Sequence, residues 1–392
     1  MKPLYRKIHS RFKLNGNSFS RDELKEVAYS LIKEADSFEK EIGDFLLDWL
    51  DESPTLQVHT SGSTGKPKTI TLQKSHMVNS ALATGKFLEL EPGDSALLCL
   101  PVVYIAGKMM LVRAIVLGLE LDYVPPSSKP LIDIRKSYDF CAMVPLQLEN
   151  SLDRLYLIKI LIVGGAPITQ IVLLKLERLQ ERKLQRAKGD VVSTKNFSTE
   201  VFETYGMTET ITHIALKKLR VGLIDNLGKI GRIVERQTDT LNFKILPEIT
   251  ISTDDRNCLR IDAPKISKET IVTNDVVNLI SNTEFQWLGR FDNIINSGGV
   301  KLFPEQIEAK LEPIINGRFF VAGLADERLG QKLVLIVEGE GEKEEILQKI
   351  RLLQTLERFE VPIEIYHVTE FLDTDSEKIR RMDTLRRFKL SN

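Results

Sequence analysis

The chain reads as an α/β protein. A large N-terminal domain of parallel and mixed sheets with helices, including a β-rich subdomain, is followed by a small α+β C-terminal domain. Three observations predict this. Between residues 55 and 188, short apolar runs of strand length alternate with helical stretches, the mark of a parallel sheet with crossover helices. Residues 230–290 change to short polar–apolar alternations with few helical segments. After Gly298-Gly299 helix and strand patterns mix again to the end of the chain. At 392 residues the chain exceeds the roughly 250–300 at which a single core stops growing. The expected division is therefore residues 1–291 and 292–392.

Residues 21–50 predict one or two amphipathic helices, with Leu24, Val27, Ala28, Leu31 and Ile32 at helical spacing. Asp51-Glu52-Ser53-Pro54 ends that pattern, and Thr55–His59 reads as a short strand. A second β-like segment, Thr69–Leu72, follows a polar run, so the two strands predict a hairpin. A helix is expected over 74–88, and Pro92-Gly93-Asp94 makes a turn. Ser95–Leu100, Leu119–Val124, Asp139–Val144 and Leu157–Val163 are buried-strand candidates, with helices at 106–117 and 146–153. A charged helix over 168–188 leads to a polar linker, Gly189–Ser198. In the last part the pattern is helix 304–313, strands 318–323 and 333–338, helix 343–356 and strand 363–368.

Composition narrows the function. Hydrophobic content of 42% supports real cores, and 54 basic against 55 acidic residues leave a net charge of −1. That balance argues against nucleic acid or an anionic membrane as partner. No run reaches the roughly 18 apolar residues of a membrane span. Met1–Arg6 lacks the apolar core of a signal peptide, so a cytoplasmic protein is expected. Cys99, Cys141 and Cys258 are odd in number and widely spaced; they predict three buried thiols, not a disulfide framework or a zinc site. A homodimer is compatible with the sequence.

The most informative stretch is Thr60-Ser61-Gly62-Ser63-Thr64-Gly65-Lys66-Pro67-Lys68. Glycine lets backbone approach a ligand closely, hydroxyls and successive N–H groups can cradle an anion, and lysine adds positive charge. The combination suits a polyphosphate. It is not the G-x-x-x-x-G-K-[ST] loop, because only Ser63 and Thr64 separate Gly62 from Gly65. A Ser/Gly-rich surface linker is the bland alternative. A second signal, Thr204-Tyr205-Gly206-Met207-Thr208-Glu209-Thr210, sets an aromatic, a hydroxyl and a carboxylate close together, suited to a base and to Mg²⁺ near phosphates. A third runs from Trp287-Leu288-Gly289-Arg290-Phe291-Asp292-Asn293 to Gly298-Gly299-Val300-Lys301. Alone, the second is a weak signal, because Tyr-Gly turns are common, and the third reads equally as a surface loop with an ordinary ion pair.

Together and in this order the segments resemble the acyl-adenylate-forming superfamily of acyl-CoA synthetases, peptide-synthetase adenylation domains and luciferases. The resemblance covers residues 55–392. It implies ATP, Mg²⁺ and a carboxylic acid as ligands, with CoA as co-substrate. Residues Thr60, Ser61, Gly62, Ser63, Thr64, Gly65 and Lys66 would then hold the β- and γ-phosphates, and Gly165 and Ala166 would line the adenine and acyl pocket. The same resemblance implies Tyr205 and Gly206 at adenine, Thr208 at phosphate, Glu209 at Mg²⁺, and Asp275 with Arg290 at the ribose. Asp292 would be a hinge; Gly298, Gly299 and Lys301 would help form the pantetheine tunnel; Lys378 would be the adenylation lysine. Two departures stand out: Glu377 occupies the position of a family glycine, and Thr273-Asn274-Asp275 replaces Thr-Gly-Asp. The segment before the phosphate loop is also short for the family, which resembles compact o-succinylbenzoate–CoA ligases of menaquinone biosynthesis. Alternatives are an enzyme loading another acid onto CoA or a carrier-protein phosphopantetheine, and a non-catalytic nucleotide-binding relative.

His59, His76 and His213 fit no zinc spacing. His76 reads as a polar helix-face residue, while His213 could touch an acyl group. Tyr104 reads either as a gate to the acyl tunnel or as core. Most of the basic cluster Lys378–Arg387 reads as a solvated helix face. Such chemistry forms no covalent enzyme intermediate, so catalysis rests on positioning and charge stabilisation. Lys378→Ala is expected to slow acyl-AMP formation by about 10²–10³-fold, as a lost oxyanion donor does, and to spare thioester formation from preformed acyl-AMP. Separate assays of the two half-reactions check this; equal damage to both would refute the role.

Overall fold

The computed structural model describes residues 3–59, 69–187, 199–219, 242–374 and 379–388. The two N-terminal helices are α1 (Arg21–Glu34) and α2 (Ser37–Leu50). Ser20 caps α1 reciprocally with Glu23: Glu23 N–H donates to the Ser20 hydroxyl and Ser20 N–H to the Glu23 carboxylate, at 3.3 and 2.7 Å. Strand β1 (Lys13–Leu14) precedes them, and the antiparallel pair β2 (Thr55–His59) and β3 (Thr69–Gln73) follows, with His59 opposite Thr69. The glycine-rich run Thr60–Lys68 lies outside the described residues, but it connects these two paired strands.

Next come α3 (Lys74–Leu88), β4 (Ser95–Leu98), α4 (Ile105–Leu117), β5 (Glu120–Tyr123), β6 (Tyr138–Met143), α5 (Pro145–Glu149), β7 (Ile158–Val163), α6 (Gln170–Ala187) and β8 (Glu200–Gly206). Then follow β9 (His213–Leu219), β10 (Phe243–Ile245), β11 (Thr250–Thr253), β12 (Cys258–Asp262), β13 (Ile271–Leu279) and β14 (Glu284–Arg290). Among the described residues they form one 12-stranded sheet, ordered β1-β5-β4-β6-β7-β8-β9-β10-β14-β13-β12-β11. Pairing is parallel as far as β8 and antiparallel from β8–β9 onward. The β-rich region thus extends the parallel sheet. The linker Gly189–Ser198 and residues 230–241 lie outside the described residues.

Both faces of the parallel half are buried, and strand alternation decides which residue serves which face. Leu98, Phe140, Ala142, Ile160 and Ile162 join a core with α1–α4. Leu97, Cys141, Met143, Leu161 and Val163 join a second core with Leu148 of α5 and Val172 and Leu176 of α6. All three cysteines are buried free thiols, as expected. No helix among the described residues is long and apolar enough to cross a membrane.

The last segment builds a separate five-stranded sheet from β15 (Ile295–Ser297), β16 (Val300–Leu302), β17 (Phe319–Asp326), β18 (Gly330–Glu338) and β19 (Glu364–Val368). Helices α7 (Pro304–Leu311) and α8 (Lys343–Leu352) cover one face, and α9 (Arg381–Arg387) packs on the other through Leu385. It meets the large sheet where Gln306 Nε2 donates to the Trp287 and Leu288 carbonyls at 3.2 and 3.1 Å.

At the base of the β2–β3 hairpin, Lys74 is fully buried and its ammonium meets the Asp51 carboxylate, itself half exposed, at 2.5 Å. This ties the start of α3 to the end of α2. Asp51→Asn leaves a buried ammonium without its counter-charge and is expected to destabilise by about 1–3 kcal/mol. Lys74→Met removes the charge as well and should cost less than about 1 kcal/mol. Denaturant midpoints of the two variants check the order.

Candidate active site

Parallel strands β7 and β8 end side by side at the carboxyl edge of the sheet, where ligands of open α/β sheets bind. The loop after β7 holds Gly164, Gly165 and Ala166. A Cβ on Gly164 would sit 2.1 Å from the Thr204 hydroxyl, so the loop lies directly on β8. Gly165 and Ala166 are exposed, and Gly165 has φ +90°, a conformation open to glycine.

Tyr205 sits near the end of β8, and its ring stands edge-on to Phe285 with centroids 5.1 Å apart. Phe243 lies 5.7 Å away and stacks on Phe285. The Tyr205 hydroxyl donates to Asp275 Oδ2 at 2.6 Å. Burial, then the adjacent carboxylate, push the phenol far above its usual range, so it stays protonated and donates.

After β8 the chain reverses within a few residues. Thr208–Thr210 form a 3₁₀ turn, and the Thr210 hydroxyl both accepts from Met207 N–H at 2.9 Å and donates to the Thr212 carbonyl at 2.7 Å. Ile211 is buried at φ +66°, ψ −58°, with Thr212 N–H closing onto the Thr210 carbonyl at 2.7 Å. This is the strained form of the γ-turn, unusual for a β-branched residue. Gly206 is required beneath it, since a Cβ there would lie 2.3 Å from the Thr212 carbonyl. The turn leaves Glu209 exposed and Thr208 partly so.

Asp275 and Arg290 are cross-strand partners on β13 and β14, with Arg290 Nε 3.8 Å from Asp275 Oδ1. Asp275 N–H is held by the Thr273 hydroxyl at 3.0 Å, which donates in turn to the Leu259 carbonyl at 2.9 Å. Asp292 follows in a short 3₁₀ turn, its Oδ2 3.5 Å from Arg290 Nη2 and 3.2 Å from Asn274 Nδ2. The structure thus brings Tyr205, Asp275, Arg290 and Asp292 into one connected group. Gly298 and Gly299, at φ +58° and +84°, make the tight exposed turn between β15 and β16, and Lys301 follows it on β16.

Thr60, Ser61, Gly62, Ser63, Thr64, Gly65, Lys66 and Lys378 lie outside the described residues. Both flanks of the Lys378 segment are anchored. Asp373 and Ile379 form an antiparallel bridge, Arg318 pairs with Asp373 at 2.5 Å, and Arg381 pairs with Glu308 of α7 at 2.7 Å. Arg381, expected on a solvated helix face, is instead drawn inward by Glu308 and the Phe320 ring, 5.7 Å away. Arg386 and Arg387 remain outward.

Sequence reasoning missed the aromatic wall of Phe243 and Phe285, which stand outside the motif segments themselves. It also missed Arg113, although a lone charge in Met109-Met110-Leu111-Val112-Arg113-Ala114-Ile115 is a signal. This guanidinium is 1% exposed, and its Nε and Nη2 have no partner. Desolvation pulls it down to about 9. Buried His213, beside it, accepts or donates one bond at 3.1 Å with Thr84, and burial holds it well below its usual range. Tyr104 is 53% exposed at the start of α4, so it is not core.

A solved structure of an acyl-CoA synthetase (AMP-forming)/AMP-acid ligase II-like protein from Dyadobacter fermentans is 33% identical to this chain. The match covers 93% of this chain and 98% of that one, with a TM-score of 0.57. Residues 48–241 match the AMP-binding enzyme family. The chain belongs to the AMP-binding enzyme family. Among curated members, a 2-succinylbenzoate–CoA ligase of Bacillus cytotoxicus is 25% identical over 359 residues, covering 85% of this chain and 70% of that protein. The o-succinylbenzoate CoA synthetase of Bacillus subtilis, solved with its acyl-adenylate intermediate, shares the fold. It has a TM-score of 0.65 at 18% identity and covers 94% of this chain and 77% of that one.

Burial pushes the Glu308 carboxyl up to about 7, against the opposing pull of Arg381 and the Val321 N–H. A carboxyl raised on folding favours the native state at low pH and loses that contribution as pH climbs through its folded pKa. Unfolding free energy is expected to fall by about 1–3 kcal/mol between pH 4.5 and 7 from this group. Denaturation across that range should show a shallower slope for Glu308→Gln.

Proposed function

We propose that this AMP-binding enzyme is an ATP-dependent carboxylate–CoA ligase that forms an acyl-AMP intermediate, with o-succinylbenzoate as its acid. The observation that carries the reading is the joined Tyr205–Asp275–Arg290 group at the carboxyl edge of β7 and β8. Tyr205 and the Gly165-Ala166 loop would flank adenine, and Asp275 with Arg290 would hold the ribose hydroxyls. Thr208 and the Thr60–Lys66 loop would take phosphate oxygens, and Lys378 would bridge the acid and the α-phosphate. Glu209 is a single exposed carboxylate, and no cluster of three metal-binding side chains occurs among the described residues. That suits an Mg²⁺ arriving on the nucleotide and offsetting phosphate charge there. Residues 1–291 form the ATP- and acyl-binding body and 292–392 a mobile domain turning at Asp292. Gly298, Gly299 and Lys301 serve CoA on that domain.

The acid follows from Arg113. A buried guanidinium without a counter-ion is costly, and a second carboxylate on the substrate would supply its anion. The nearest alternative acceptor is a carrier-protein phosphopantetheine.

The test is ATP–pyrophosphate exchange over a panel of acids, repeated with CoA while thioester is followed. Exchange with o-succinylbenzoate is expected, and thioester only when CoA is present. Arg113→Met should raise KM for o-succinylbenzoate about 10–100-fold, the worth of a charged hydrogen bond, with little change for benzoate. Exchange with other acids alone would discard the substrate; no exchange with any acid would discard the ligase.

A further inference from the structure

Asn274 is part of neither the nucleotide contacts nor the hinge turn, yet its side chain is hydrogen-bonded to the hinge residue Asp292 and to Arg256. It lies on β13 between Thr273 and Asp275. Its Oδ1 accepts from Arg256 Nη1 at 3.0 Å, and its Nδ2 donates to Asp292 Oδ2 at 3.2 Å. The two ends of the amide cannot exchange, because Arg256 offers only protons and the Asp292 carboxylate only lone pairs. Arg256 is itself anchored. It pairs with Asp254 at 2.8 Å, donates to the Thr273 carbonyl at 3.3 Å and lies over the Phe291 ring, 5.1 Å from its centroid. Phe291 and Asp292 are thus both held from the large sheet by one chain of side chains. Arg290 adds a second hold on Asp292 and continues to Asp275, which accepts the hydrogen bond of the Tyr205 hydroxyl.

We infer that Asn274 is a positioning residue for the ligase cycle: with Arg256 it braces the Asp292 turn and favours the domain orientation seen here over the rotated one. The inference rests on the proposed hinge at Asp292. A turn about this residue changes its backbone dihedrals and swings its carboxylate, so a contact to that carboxylate is made in one orientation and lost in another. The brace sits next to the ribose-holding carboxylate without touching the ribose itself. Its loss therefore changes how the domains are distributed and leaves nucleotide affinity alone.

The experiment places fluorophores on the full chain at two exposed positions, Tyr29→Cys and Leu352→Cys, and reads single-molecule energy transfer without ligand and with ATP, o-succinylbenzoate and CoA. Asn274→Ala is expected to lower the ratio of resting to rotated molecules about three- to tenfold, the range of one partly exposed hydrogen bond to a charged group. KM for ATP in pyrophosphate exchange should move less than twofold. Asn274→Asp keeps the Arg256 arm but sets a like charge against Asp292, so it should shift the ratio at least as far. A wild type that reorients while both Asn274 variants keep its distribution overturns the brace. A raised KM for ATP with an unchanged distribution does the same and makes Asn274 a nucleotide contact. A wild type that shows one orientation under every condition overturns the hinge reading along with it.

Discussion

The hydrogen bond between Tyr205 and Asp275 can form only if the large sheet curls. Three strands, β9, β10 and β14, separate β8 from β13 in the sheet order. Four spacings of about 4.8 Å would set their backbones roughly 19 Å apart in a flat sheet, beyond the reach of a tyrosine and an aspartate together. Yet the two side chains meet at 2.6 Å. The antiparallel half therefore rolls over, and Tyr205, Phe243 and Phe285 pack inside the roll. Register shifts at Tyr205/Gly206, Val276/Val277 and Cys258/Arg260 fall on these same strands, and each adds local twist. The site's geometry is a product of sheet curvature more than of any loop.

This explains what was legible in the sequence. Thr55–His59, helix 74–88 and the strand ending at Val163 are local patterns, and their observed bounds match or lie within a residue of the reading. Tyr205, Asp275 and Arg290 could be named because the short segments that carry them resemble motifs of a known family. That β8 is the strand at which pairing changes direction has no local signature, so the β-rich region read as a unit of its own. Phe243 and Phe285 look like any strand residues; only the roll makes them neighbours. Arg381 was misjudged for a related reason. Its basic surroundings suggested solvent, while the carboxylate that draws it inward stands far back in the chain on α7. Burial of a long cationic side chain is decided by its partner, and partners distant in sequence are invisible to periodicity.

The N-terminal helices carry a similar lesson about support. α2 reads as an ordinary amphipathic helix, but Asp51 just beyond it neutralises the buried Lys74 at the foot of the β2–β3 hairpin. Helix and hairpin are then mechanically continuous. The two strands that flank the glycine-rich connection pair along their whole length, from His59 opposite Thr69 to Thr55 opposite Gln73, and the ion pair secures the foot of that pair.

The reversal at Ile211 has a consequence for how this family member can diverge. A γ-turn has no slack, and past the register shift at Tyr205/Gly206 the strand after it pairs in step with β8 from Ala215 to Leu219. One inserted or deleted residue between Gly206 and His213 would move every side chain of β9 to the opposite face. Lys217 would lose Glu203, its partner at 2.5 Å, and the buried Ile214 and Leu216 would trade places with their neighbours. The error would then pass along the pairing order into β10 and β14 and dismantle the aromatic wall. Beyond Gly206, substitution is more open to this segment than a change of length; among related chains its spacing should outlast its letters.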